Sequence, residues 1–113
     1  MIRQFIYTDG FNTKWEKLKL TDDDLLALEL YLLKNLHSGK VIQGTGGLRK
    51  LRWKLPNTGK SGGLRILYVD IVICEELFMI DLFAKSEKDN LTEADKNTIK
   101  QFIATRIKKG KGR

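Results

Sequence analysis

The octet Leu48–Leu55, LRKLRWKL, constrains the fold more than any other stretch of this chain. Side chains alternate between the two faces of a strand, so Lys50, Arg52 and Lys54 project to one side while Leu51, Trp53 and Leu55 project to the other. Wound into a helix, the same residues would spread basic groups around most of the cylinder and leave no clean apolar stripe. The octet therefore reads as a strand with one cationic face and one core face. Pro56 stops it, and Asn57–Gly63 (NTGKSGG) reads as a turn into the next strand.

Charge follows the same segment. The chain has 21 Lys and Arg against 14 Asp and Glu, a formal net charge of +7. The stretch Gly39–Tyr68 holds Lys40, Arg49, Lys50, Arg52, Lys54, Lys60 and Arg65 and no acid, so the whole excess is local to it. Fixed positive charge without internal carboxylates repels itself, and a polyanion such as nucleic acid is the partner that neutralises it. A phosphate-loop reading of Gly59-Lys60-Ser61 fails. That motif requires a glycine where Lys54 stands and a helix afterwards, whereas LRILYVDIVI reads as strand.

The flanking elements follow from local rules. Ile2–Thr8 is aromatic and β-branched and reads as an opening strand stopped by Asp9-Gly10. Phe11, Trp15 and Leu18 recur at helical spacing. Thr21 with Asp24 forms a capping box for a second helix, in which Leu25, Leu28, Leu32 and Leu36 line one face and Leu26, Leu30 and Leu33 widen it. That helix is expected to end at Leu36–Gly39, with Gly39 as a left-handed cap and His37, the single histidine, as a cation in the last turn. Leu64–Ile73 and Leu77–Lys85 read as two more strands about a turn at Glu75-Glu76, completing an antiparallel meander. Thr92 with Asp95 then starts a third helix carrying Ile99, Phe102, Ile103 and Ile107, and Arg106–Arg113 is expected to fray.

At 113 residues the chain is expected to be a single domain spanning 1–113, burying about two-thirds of its unfolded surface. The lone Cys74 can form no internal bridge and fits a reducing cytoplasm. No apolar run approaches the roughly 18 residues of a membrane span, and Met1–Gly10 has no signal-peptide core. The expectation is a soluble, cytoplasmic protein without a membrane partner.

The stretch QGTGGLRKLRWK, then GGLRILY, then LFAKSEKDNLTEADKNTIKQF resembles the RelE superfamily of toxins, specifically its HigB branch. The resemblance spans nearly the whole chain in order. It implies an α+β fold in which an antiparallel sheet, the N-terminal strand plus a three-strand meander, is packed by two N-terminal helices and joined by a C-terminal helix. It also implies a ribosome-dependent mRNA endonuclease acting in the A site beside 16S rRNA, without metal or other cofactor. The implied partner is a cognate antitoxin of the helix-turn-helix, HigA-like kind. Carried onto this chain, the family's basic active-site strand falls on Lys50 and Arg52, its catalytic arginine on Arg65, and its basic corner on Lys85 with Glu87 beyond. Ser86 stands where some members have an arginine.

The chemistry can be set beside those residues. Cleaving RNA without a metal turns the 2′-OH on the adjacent phosphate, which needs a base, an acid for the leaving 5′-oxygen, and cations for the growing phosphorane charge. Arg52 and Arg65 suit the last role because a guanidinium stays charged and grips phosphate oxygens in pairs. Lysine crowded by cations is pushed toward its neutral form, so the base lies between Lys50 and Glu87, with Lys85 as acid. Arg49, Lys54 and Lys60 are expected to hold RNA. The alternative is a non-catalytic RNA-binding or ribosome-associated protein using the same strand.

Overall fold

The computed structural model describes residues 2–54, 63–84 and 91–112. In chain order the elements are β1 (Gln4–Tyr7), α1 (Asp9–Lys17), α2 (Asp22–Lys34), β2 (Lys40–Val41), β3 (Arg49–Trp53), β4 (Leu64–Ile71), a 3-10 turn (Val72–Cys74), β5 (Glu76–Ala84) and α3 (Glu93–Lys111). The five strands form one sheet in the order β1-β5-β4-β3-β2. The class is α+β as expected.

Alternation along β4 divides the molecule into layers. Leu64, Ile66 and Tyr68 belong to the core cluster built with Phe11 and Trp15 of α1 and Leu28 and Leu32 of α2. Leu67, Val69 and Ile71, one residue out of step and so on the opposite face, pack with Ile99 and Ile103 of α3. Both helix starts expected from sequence are present. Thr21 and Asp24 cap α2, and Thr92 and Asp95 cap α3, each side chain bonding the other's backbone N–H.

Several details differ from the sequence-based expectation, beginning with a fifth strand, the short β2, at the sheet edge. The sheet is mixed, because β1 runs parallel to β5 (Gln4 opposite Glu76, Tyr7 opposite Met79) while the remaining pairings are antiparallel. An apolar alternation is the same read in either direction, so it could not decide this. Strand β4 ends at Ile71, and the chain reverses through the 3-10 turn with Glu75 left-handed at φ 53°. Helix α2 is buried over a narrower stripe than expected: Leu26 and Leu30 are each 52% exposed. Nor does α3 fray at Arg106; it continues to Lys111. Arg106 reaches Glu76 at 2.6 Å, the Cys74 thiol donates to the Arg106 carbonyl, and a Cβ at Gly110 would meet Ile73 and Cys74, so the last turns are docked rather than loose.

The end of α2 also moves. The helix stops at Lys34 with Asn35 as cap, three residues before His37, so neither His37 nor Gly39 has the capping role foreseen for it. What organises the corner is Tyr68, fully buried on β4: its hydroxyl donates to the Leu36 carbonyl (2.9 Å) and accepts from the Gly39 N–H (3.1 Å). Gly39 is needed for closeness, since a Cβ there would lie 2.9 Å from the Tyr68 ring and 3.1 Å from the Lys50 carbonyl. Tyr68→Phe orphans a buried donor and a buried acceptor together, each worth about 1–3 kcal/mol. The variant is expected to lose about 2 kcal/mol or more, read as a lowered urea midpoint at unchanged m-value. On the far side, the Tyr7 hydroxyl donates to Glu29 of α2, whose carboxyl is pushed above its ordinary range by burial.

Candidate nucleic-acid interface

Register brings the basic residues together. Residues directly opposite on neighbouring strands share a face. Arg52 of β3 stands opposite Arg65 of β4, and Lys50 of β3 opposite Lys40 of β2. Lys50 and Arg52 are two apart on one strand, so all four side chains rise from the same face of β2, β3 and β4. Lys40 and Arg52 are exposed, and Lys50 and Arg65 half-buried.

α3 covers the adjoining part of this face, where Leu48, Leu67 and Phe83 form a cluster against Ile99 and Leu91. Among the described residues, the four cations therefore stand on the part of this face that α3 leaves uncovered, next to its apolar cluster. Two like-charged pairs placed directly across a sheet destabilise it by up to about 1 kcal/mol each relative to neutral pairs. That cost is offset when an anion lies over them. Asp81 of β5, opposite Leu67, lies 2.8 Å from the Lys14 ammonium, which takes up its charge. Guanidinium groups from two strands can take two oxygens each of one phosphate, and the flanking ammoniums add point charge.

The sequence-predicted residues sort as follows. Lys50, Arg52 and Arg65 are brought onto one face. Lys54 is exposed just beyond β3. Arg49 lies on the other face, where its guanidinium donates to the Gly39 carbonyl at 2.8 Å and the His37 carbonyl at 3.2 Å, holding the corner after α2. Lys60, Lys85 and Glu87 lie outside the described residues. His37 belongs to the Arg49 corner, away from the cation face. Among the described residues no group of three His, Cys, Asp or Glu side chains is placed to hold a metal ion, and no helix is long and apolar enough to cross a membrane.

Sequence reasoning passed over Lys40 as a site residue, although it counted toward the basic segment. Its signal was the glycine-rich loop between it and Lys50: a hairpin folding there puts the two across from one another. Lys96 and Lys100 of α3 were also passed over. Their spacing of four places them together on one side of the helix, next to the apolar Ile99.

Among solved structures, the intact E. coli RelBE toxin-antitoxin complex contains a chain that matches this one with a TM-score of 0.51 and 22% identity, over 76% of this chain and 99% of that one. At that identity the likeness concerns the fold alone. The family model described as the RelE toxin of the RelE/RelB toxin-antitoxin system matches residues 5–111, nearly the full length and including all three strands that carry the cations. This chain belongs to the RelE toxin family.

Proposed function

We propose that this chain is a HigB-like member of the family: a toxin that cleaves mRNA on the ribosome, in the A site beside 16S rRNA, and so halts translation. The observation that carries the reading is the pairing of Arg52 with Arg65 and of Lys40 with Lys50 on one sheet face. In the reaction, a base takes the 2′-OH proton and the 2′-oxygen attacks the adjacent phosphorus. The 5′-oxygen then leaves with a proton from an acid, giving a 2′,3′-cyclic phosphate and a free 5′-OH. Arg52 and Arg65 hold the two non-bridging oxygens as charge builds on them. Lys50 or Glu87 serves as base and Lys85 as acid; Lys54 and Lys60 hold flanking RNA. The step uses no metal or cofactor. Arg49 supports the site from behind, through the corner it braces.

A cognate antitoxin, of the helix-turn-helix HigA-like kind, would silence the protein by presenting acidic groups to the cation face or by blocking its path into the ribosome. The RelBE assembly supports the general expectation of such a partner.

The test is a defined mRNA incubated with the purified chain, alone and on translating ribosomes. Cleavage is expected only with ribosomes, leaving cyclic-phosphate ends. RNA retained but uncut under both conditions would replace the nuclease by the non-catalytic binder.

A further inference from the structure

The positive surface does not end at the four sheet cations. From Lys40 the chain passes through Ile42, packed in the same cluster as Ile99, into the glycine loop 43–47. Thr45, fully buried, braces that loop from below: its hydroxyl donates to the Ile42 carbonyl at 2.6 Å and accepts from the Leu48 N–H at 3.0 Å. Gly44 and Gly46 hold φ values of +84° and +81°, a conformation that L side chains rarely adopt.

Two lysines of α3 lie on this loop. A Cβ at Gly44 would stand 3.6 Å from Lys96 Cδ, and one at Gly46 would stand 3.6 Å from Lys100 Cγ. The aliphatic stems thus rest on bare backbone. Lys100 is exposed; among the described residues Lys96 has an i,i+3 contact of 3.7 Å with Glu93, itself 86% exposed, which holds it weakly. The helix that closes the core over Leu48 therefore carries positive charge from the sheet edge onto its own flank.

We propose that Lys96 and Lys100, seated on the glycine loop, form a second phosphate subsite that grips the backbone of single-stranded RNA outside the linkage positioned by Arg52 and Arg65. The reading of Arg52 and Arg65 as the reacting site is the one proposed above, and the subsite extends it. Ammonium groups on flexible stems act as point charges and suit a sequence-independent backbone contact. A polynucleotide is favoured over a small anion because the two lysines continue a charged surface instead of closing a pocket. The subsite supplies affinity, and the arginines supply transition-state binding.

The experiment uses the full chain and its K96Q/K100Q double variant. Uncleavable 2′-O-methyl RNA probes of about four and about 12 nucleotides span the range of single-strand site sizes. Two lost phosphate contacts should flatten the log–log salt dependence of binding to the long probe by about 1.4, at about 0.7 per phosphate on single strands. The short probe should bind both proteins alike, and K96R/K100R should restore the slope. On ribosomes the double variant should raise KM and keep kcat. An unchanged slope on the long probe, or a wild type that binds both lengths equally, would overturn the subsite. So would a double variant that loses only an acidic protein partner. If the wild type binds with the length dependence described but never cuts, the nuclease reading fails while the subsite stands. Cutting with an unchanged slope gives the reverse.

Discussion

Arg65→Ala is expected to lower the rate of mRNA cleavage on the ribosome by about 10²–10³-fold, the loss typical of removing one preorganised donor from a developing oxyanion. The residue is half-buried and lies opposite Arg52, so one phosphate over this pair of strands can meet both guanidinium groups. Arg65→Lys keeps the charge and loses the fork. It should recover only part of the activity, whereas a purely electrostatic role would be fully rescued. Lys40→Ala, at the sheet edge and exposed, should act mainly through KM. Unfolding followed in parallel separates chemistry from scaffold. Cleavage and stability falling together in Arg65→Ala would move that arginine out of the reaction and into the fold.

The parts of this arrangement that sequence made legible are the local ones. Capping by Thr21 and Thr92 depends on residues three positions away, and the faces of Arg49–Trp53, the part of LRKLRWKL that forms β3, depend on neighbours two away. Both are short-range rules, and the structure obeys them. The end of α2 is different, because Tyr68 and Arg49 take the carbonyls and N–H groups of the corner from 29 and 10 residues away at Gly39, and no pattern within the helix announces that. The direction of β1, the docking of the last turns of α3 by Glu76, and the placing of Lys96 and Lys100 over the glycine loop are likewise products of contacts across the sheet. Strand parity could put Lys50 and Arg52 on one face. Only the register of β3 against β4 could add Arg65 to it, opposite Arg52 and not opposite a leucine. The candidate site was therefore visible as a set of residues before it was visible as a geometry.

Asp70→Ala is expected to cost about 3–5 kcal/mol, enough to bring a domain of ordinary stability near its unfolding threshold. Asp70 of β4 receives both arms of Arg3: Nε to Oδ1 at 2.6 Å and Nη2 to Oδ2 at 3.3 Å. The side chains are 8% and 3% exposed, so removal of the carboxylate leaves a largely shielded guanidinium with Nε and Nη2 unpaired, while Nη1 keeps its bond to the Ile2 carbonyl at 2.7 Å. With Asp70 in place the Arg3 guanidinium is held above its ordinary range chiefly by the hydrogen bond it donates to that carboxylate, with burial opposing; without Asp70 it stays charged all the same, because a guanidinium does not lose its proton in a protein. The pair spans β5, which lies between the two strands, and ties the edge strand β1 to the middle of the sheet. Lys14–Asp81, 45% and 35% exposed, offers the contrast: an exposed pair of that kind is worth about 0–1 kcal/mol. Replacing both partners, as in Arg3→Met with Asp70→Leu, should return most of the loss, because the cost lies in a lone buried charge and not in the absence of a pair. Urea midpoints of the two single variants and the double variant measure the coupling directly. β1 and β2 are opposite edges of the sheet, so the folded fraction of Asp70→Ala at low temperature should still cleave at the wild-type rate. A large fall in the rate of that fraction would mean that the β1 edge and the cation face are one mechanical unit.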